Sequence, residues 1–270
     1  MKKHLWHRVP AGLLLTSTFL YSGLAYSVEN NNTTSTEGDG FTLLSGVPNE
    51  NNWGLGVGLG FEKKPYTGAD SNLSPFPLVY FDNKWIALFG NRIDLKIGKW
   101  ENIKISLHGQ YAFDDGYKES DAPILYGMQK RGGGFWVGPA AEWNTDFGTV
   151  SAKYLFAGNK GQKASLGFDR EFEYGSFTFT PHTEIEWFNN KYVGYYYGVR
   201  PSEVQPGRDI YSGRSTYKIS AGLRTNYSIT PSQSVSLDAT LSRLGSGISD
   251  SPLVDKTTIP QVTLGYFYRF

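Results

Sequence analysis

Apolar and polar residues alternate along most of this chain with a period of two, the spacing that sends successive side chains to opposite faces of a β-strand. The C-terminal stretch shows it most plainly. Val262, Leu264, Tyr266, Tyr268 and Phe270 share one face, and Thr263, Gly265, Phe267 and Arg269 share the other. A strand that ends in an aromatic residue and carries a wholly apolar face suits a membrane interface, where amphipathic rings settle. Upstream, Trp53, Leu55, Val57, Leu59 and Phe61 alternate with four glycines. A face of glycines packs nothing of its own, so another group must approach it closely or the strand must bend there. Further strands are predicted at 76–81, 85–89, 93–97, 103–111, 135–143, 150–156, 164–172, 177–187, 217–227 and 235–241. With the first and last, that makes about twelve.

Connection lengths sort by parity. The stretches 82–84, 99–102, 144–147, 173–176 and 229–233 are short, whereas 112–132, 188–214 and 244–257 are long and fall on the other side. A β-sandwich has no reason to sort its loops in this way, but outer-membrane barrels have short periplasmic turns and longer outer loops. The expected fold is therefore all-β, a transmembrane antiparallel β-barrel of about twelve strands with periplasmic termini.

Composition agrees. Aromatic residues make up 16% of 270, and glycine numbers 32. Mean hydropathy is −0.38, and beyond the N-terminus no run approaches the ~18 apolar residues of a membrane helix. A barrel evades that test, because only alternate residues must face lipid. The formal charge of +1, with basic residues scattered among acidic ones, gives no basic surface for nucleic acid. The absence of cysteine excludes disulfides, thiolate metal sites and a cysteine nucleophile. Lys2, Lys3 and Arg8 precede an apolar run around Leu13–Leu15, and Ala25-Tyr26-Ser27 offers a cleavage site, with a second after Gly23-Leu24-Ala25. Residues 1–27 thus read as a signal peptide, 28–50 as a flexible, solvated N-terminal segment and 51–270 as the barrel.

Tyr196-Tyr197-Gly198-Val199, the stretch Ile248-Ser249-Asp250-Ser251-Pro252-Leu253-Val254 after Arg243-Leu244, the glycine-alternating first strand and the aromatic last strand together resemble the MipA/OmpV family of outer-membrane proteins. The resemblance covers about 50 to 270. It implies a barrel without enzymatic activity, inserted by the barrel-assembly machinery among outer-membrane lipid and lipopolysaccharide. The member that gives the family its name implies a scaffold role, bringing a lytic transglycosylase together with a penicillin-binding synthase of peptidoglycan. Other members imply porin-like or adhesin-like surface roles. The final residues Val262, Leu264, Tyr266, Tyr268 and Phe270 resemble the terminal signal by which such barrels are recognised for assembly.

The water-facing parity collects Arg92, Asp94, Lys96, Lys104, His108, Glu142, Lys153, Asp169, Glu171, His182, Glu184, Glu186, Lys218, Arg224 and Asp238. This mixed set could cross-link itself shut or line a narrow water path, whereas a strongly selective pore would carry one dominant sign. Ser106 two residues before His108 matches no nucleophile elbow, and His182, Glu184 and Glu186 stand about 7 Å apart along one strand face, too far for one ion. No catalytic residue, cofactor or metal is assigned. The acidic loop 112–132, with Asp114, Asp115, Glu119 and Asp121, and the tyrosines at 195–197 are read as forming the aromatic girdle or folding over the barrel mouth, with surface recognition as the alternative.

Overall fold

The computed structural model describes residues 41–43, 49–113 and 116–270. The signal peptide, Asp114 and Asp115 lie outside the described residues. The strands are β1 (Phe41–Leu43), β2 (Asn52–Glu62), β3 (Asn72–Asp82), β4 (Ile86–Phe89), β5 (Arg92–Trp100), β6 (Ile103–Ala112), β7 (Gly134–Thr145), β8 (Gly148–Phe156), β9 (Gln162–Asp169), β10 (Phe172–Tyr174), β11 (Phe177–Phe188), β12 (Thr216–Thr230), β13 (Gln233–Leu244) and β14 (Thr258–Arg269). Two short helices, α1 (Asn190–Tyr197) and α2 (Ser246–Ser249), lie in connections. Leaving β1 and β10 aside, successive strands pair antiparallel, β9 with β11 included, and β14 pairs with β2, so a ring of twelve strands closes on itself. β10 continues the register of β9 against β11 after a two-residue interruption. β1 pairs with the end of β5, inside the 28–50 stretch expected to be solvated.

Closure dictates the two faces. Val262, Leu264, Tyr266, Tyr268 and Phe270 are exposed on the outer wall, as are Leu55, Val57 and Leu59 of β2. The glycine face of β2 looks inward and is filled by rings from neighbouring strands. A Cβ at Gly54 would lie 2.1 Å from Phe267 Cζ, and one at Gly58 would lie 2.3 Å from Phe76 Cζ. Tyr80 and Phe267 meet edge to face at 5.8 Å, and Phe76 and Leu78 are buried with Phe89 packed on them. One wall of the interior, from β14 through β4, is thus aromatic. The rest is charged.

Turns at the terminal end are tight: two residues between β5 and β6, β7 and β8, β10 and β11, and β12 and β13. Asn83 caps the β3–β4 turn by accepting from the backbone N–H of Trp85 and Ile86 at 2.9 and 2.8 Å. The opposite end carries 113–133, 189–215 and 245–257. Arg170 falls in the interruption between β9 and β10, near the terminal end, with its guanidinium 5.1 Å from the Phe172 ring.

Phe270 donates its backbone N–H to Trp53 O at 3.0 Å, and its ring meets Tyr268 at 5.1 Å. Deleting Phe270 should therefore lower the yield of folded, heat-modifiable barrel in membranes, and an undiminished yield would show that the final aromatic is dispensable. Gly56→Ala would set a Cβ 2.3 Å from the backbone oxygen of Tyr266. Overpacking of this kind costs about 2 kcal/mol, to be read as a lower urea midpoint of the refolded barrel with an unchanged slope.

Candidate functional site: the charged lumen and its cap

Inward positions of β5 to β13 bring most of the sequence-derived polar set into contact. At the terminal end Lys96 Nζ reaches Asp82 Oδ2 at 2.7 Å, and Lys104, well exposed, reaches Glu142 at 3.1 Å. Deeper in, His108 Nδ1 lies 2.8 Å from Asp94 Oδ1. His182 Nε2 and Arg224 Nε each lie 3.2 Å from Asp238 Oδ2, while Thr240 donates to Asp238 Oδ1 at 2.7 Å. Lys218 pairs closely with Glu186, and Lys153 stands 4.0 Å from Glu184. Asp169 is buried opposite His182, and Glu171 is exposed in the interruption after β9.

Charges on opposite walls face one another across the lumen. In the ring of twelve, β5 and β12 stand six places apart, on opposite walls. Arg92 on β5 nevertheless sits in the field of Arg224, Glu184 and Asp238 from the far side, together with Asp94 on its own strand. Taking charges out of water is costly unless they are paired, and here the pairs join strands that are adjacent or two places apart in the ring. Beneath the long loops, one cavity of about 40 Å³ is bordered by Lys153, Lys163, Glu184 and Glu186, and a second of about 80 Å³ by Glu62, Tyr66, Tyr196 and Gln261. Both touch Phe188, Tyr192 and Lys218. Spaces of that size hold a few water molecules.

The Ser106 hydroxyl donates to Asp94 Oδ1 at 3.3 Å and so joins the same carboxylate as His108. That is not the geometry of a serine activated by a histidine. His182, Glu184 and Glu186 turn to separate partners, and among the described residues no three His, Cys, Asp or Glu side chains converge as a metal site.

Above the lumen the long connections form a folded cap. Asn189 caps α1 by accepting from Tyr192 N at 2.9 Å, and the helix turns Tyr192, Val193 and Tyr196 onto Trp136, Phe188 and Ile248. A second cluster joins four connections through Tyr66, Tyr117, Leu125, Val199 and Leu253. Tyr117 and the tyrosines at 195–197 therefore pack within the cap. Burial pushes the Tyr117 phenol up to about 12, so it stays neutral.

Arg131 holds the cap polar groups together. Its Nη2 lies 2.8 and 2.9 Å from the two carboxylate oxygens of Glu203, and both side chains are buried. Arg208 donates to the backbone oxygens of Glu203 and Tyr126, each at 2.9 Å. Periodicity carries no information in loops, so the sequence pattern did not mark Arg131, Glu203 or Arg208. Asp82 was missed for a different reason: it was placed in the turn, whereas β3 extends through it.

Burial alone would raise the Glu203 carboxyl, but donation from the backbone of Arg200 and Gln129 and from Arg131 outweighs it and holds the group below its ordinary value of 4.5. A carboxyl depressed in the folded state contributes stability that is complete above its unfolded pKa and is lost as pH falls through the folded value. The cap should therefore open to pepsin, a protease that works in acid, around Leu125 and Tyr126 as pH is lowered below 4.5, with the fragments identified by mass. Glu203→Gln should remove that acid dependence and weaken the cap at neutral pH by about 3 kcal/mol, since it leaves Arg131 buried without its counter-charge.

A family model described as MltA-interacting protein MipA matches residues 55–270. The MltA-interacting protein of Escherichia coli K12 is 23% identical over 227 residues, covering 82% of this chain and 91% of the relative. The outer membrane protein OmpV of Vibrio cholerae is 27% identical over 157 residues, 57% of this chain and 61% of the relative. Among solved structures, the NanC porin aligns with a TM-score of 0.41 at 10% identity, over 79% of this chain and 98% of that one. The match runs from within β2 to the end of the ring and takes in its cap, and this outer-membrane β-barrel accordingly belongs to the family of the MltA-interacting protein MipA.

Proposed function

We propose that the protein is a non-enzymatic interaction protein of the outer membrane, a scaffold that holds peptidoglycan-remodelling enzymes at the inner face of that membrane. The observation that carries this reading is the family match over residues 55–270, together with a relative named for its interaction with MltA. Its partner is a lytic transglycosylase, with a penicillin-binding synthase as the second enzyme of the assembly. Insertion by the barrel-assembly machinery among lipopolysaccharide and other outer-membrane lipid fits the terminal strand and the apolar outer wall. An interior lined by ion pairs between nearby strands and covered by a packed cap favours a role at the surface of the barrel over bulk passage through it.

The test is retention of a purified lytic transglycosylase by the folded, detergent-solubilised barrel. A complex that survives gel filtration is expected, and elution of the two proteins apart would remove the scaffold reading. The second reading, a channel for small solutes, is favoured by the mixed charges and the two water-sized cavities. In planar bilayers the intact barrel should be electrically silent. Discrete conductance steps that change in Glu184→Gln would instead establish a water path past that carboxylate.

A further inference from the structure

β4 is a break in an otherwise tall wall. It has four residues between neighbours of eleven and nine. It pairs with β3 only over Tyr80–Asp82. The same edge of β3 from Leu73 to Leu78, roughly 20 Å of strand, therefore faces no strand among the described residues. The turn between β4 and β5 forms the floor of this notch: Gly90 N donates to Val79 O at 2.9 Å, and Tyr111 N donates to Asn91 O at 3.0 Å. Tyr111 and Phe113, exposed and in edge-to-face contact at 4.4 Å, stand on the far side. The notch opens through the lipid-facing wall at the long-loop end.

The peptide groups along that edge follow from the bond to Val79. Alternate residues of a strand point their N–H and C=O to the same side, so Pro77, Pro75 and Leu73 address the notch as Val79 addresses Gly90. Two of those three residues are prolines. An unpaired N–H in lipid is costly, and proline is tolerated where a strand has no partner to donate to. The edge offers the carbonyl oxygens of Leu73, Pro75 and Pro77 with a single N–H among them. An added strand needs donors and acceptors in alternation, and this edge cannot supply them. Just behind it lie Phe76 and Leu78, buried, with Phe89 packed on both. In front, Leu73 is 67% exposed and Val79 38%.

We propose that the notch seats an acyl lipid of the outer leaflet, with the hydrocarbon chain against Phe76, Leu78 and Phe89 and the donors of an amide- or hydroxyl-bearing linker on the free carbonyls of the β3 edge. Lipid reaches this opening from the membrane without crossing the cap, and the occupant must donate rather than accept at the edge. The same contact would satisfy acceptors that no backbone group meets among the described residues.

The test uses the full barrel in phosphatidylcholine vesicles doped with one of two photoactivatable lipids, with cross-links mapped by mass spectrometry. A diazirine-bearing ceramide carries an amide N–H and hydroxyls, and a diazirine-bearing phosphatidylcholine has no linker donor. Both should label the outward residues Leu73 and Val79. The ceramide should label Phe76, Leu78 and Phe89 several-fold more than the phosphatidylcholine does. Inward residues that remain unlabelled, or that take both probes equally, would overturn the proposal.

Discussion

Backbone hydrogen bonding in a medium without water is the constraint on which the rest of this structure depends. Peptide groups in the hydrocarbon region find no water, and a sheet can pair nearly all of them only by closing. The pairing of β14 with β2, from Arg269 opposite Gly54 to Gln261 opposite Glu62, completes the ring. Once the ring is closed, every strand has a lipid face and an inner face, and the period-two pattern follows. A slip of one residue would put Leu237 and Leu241 inside and Asp238 in lipid, so burial of charge on one side fixes register along with pairing.

Filling the interior is the second problem, and the chain solves it in two ways. From β14 to β4 it uses rings. Phe267, Phe76 and Tyr80 project into space left by Gly54, Gly56 and Gly58, so the glycine face serves to admit large neighbours. From β5 to β13 it uses opposite charges. Well-packed apolar residues there would give equal or greater stability than buried ion pairs. They would also erase the contrast between the two faces of each strand, and with it the register signal.

Much of this was legible in the sequence. All twelve ring strands, the sidedness of Val262 to Phe270 and the sorting of loops by length follow from alternation and spacing. The start of β3 did not. The pattern places it at Phe76, yet β3 begins at Asn72 and runs through Pro75 and Pro77, residues that a doubly paired strand does not tolerate. Both observations are satisfied at once because the prolines face the side where no strand lies, while their other neighbour, β2, pairs through the intervening residues. The short strand β1 also went unread, since three residues are too few for any period to declare itself. The cap was read only as a covering. Which residues hold it, Arg131 with Glu203 and Arg208 on loop carbonyls, depends on partners more than seventy positions apart in sequence, and local spacing has no access to that.

The cap and the lumen answer to the same electrostatic rule, and that relates them to each other. A charge withdrawn from water needs a counter-charge or several dipoles in fixed positions. Lys218 and Glu186 supply this for each other on β12 and β11, while Arg131 and Glu203 do so between two loops. Between these layers lie Tyr192 and Phe188, which border both cavities and stack on each other at 4.4 Å. Loosening of the cap would let water reach Lys218 with Glu186 and Lys153 with Glu184 first, because those side chains border the space beneath it. The ion pairs nearer the terminal end, Lys96 with Asp82 and Lys104 with Glu142, are already partly solvated and carry little of the closure. Closure of the interior therefore rests on the cap and the upper lumen together, at the end of the barrel where the chain has its longest connections.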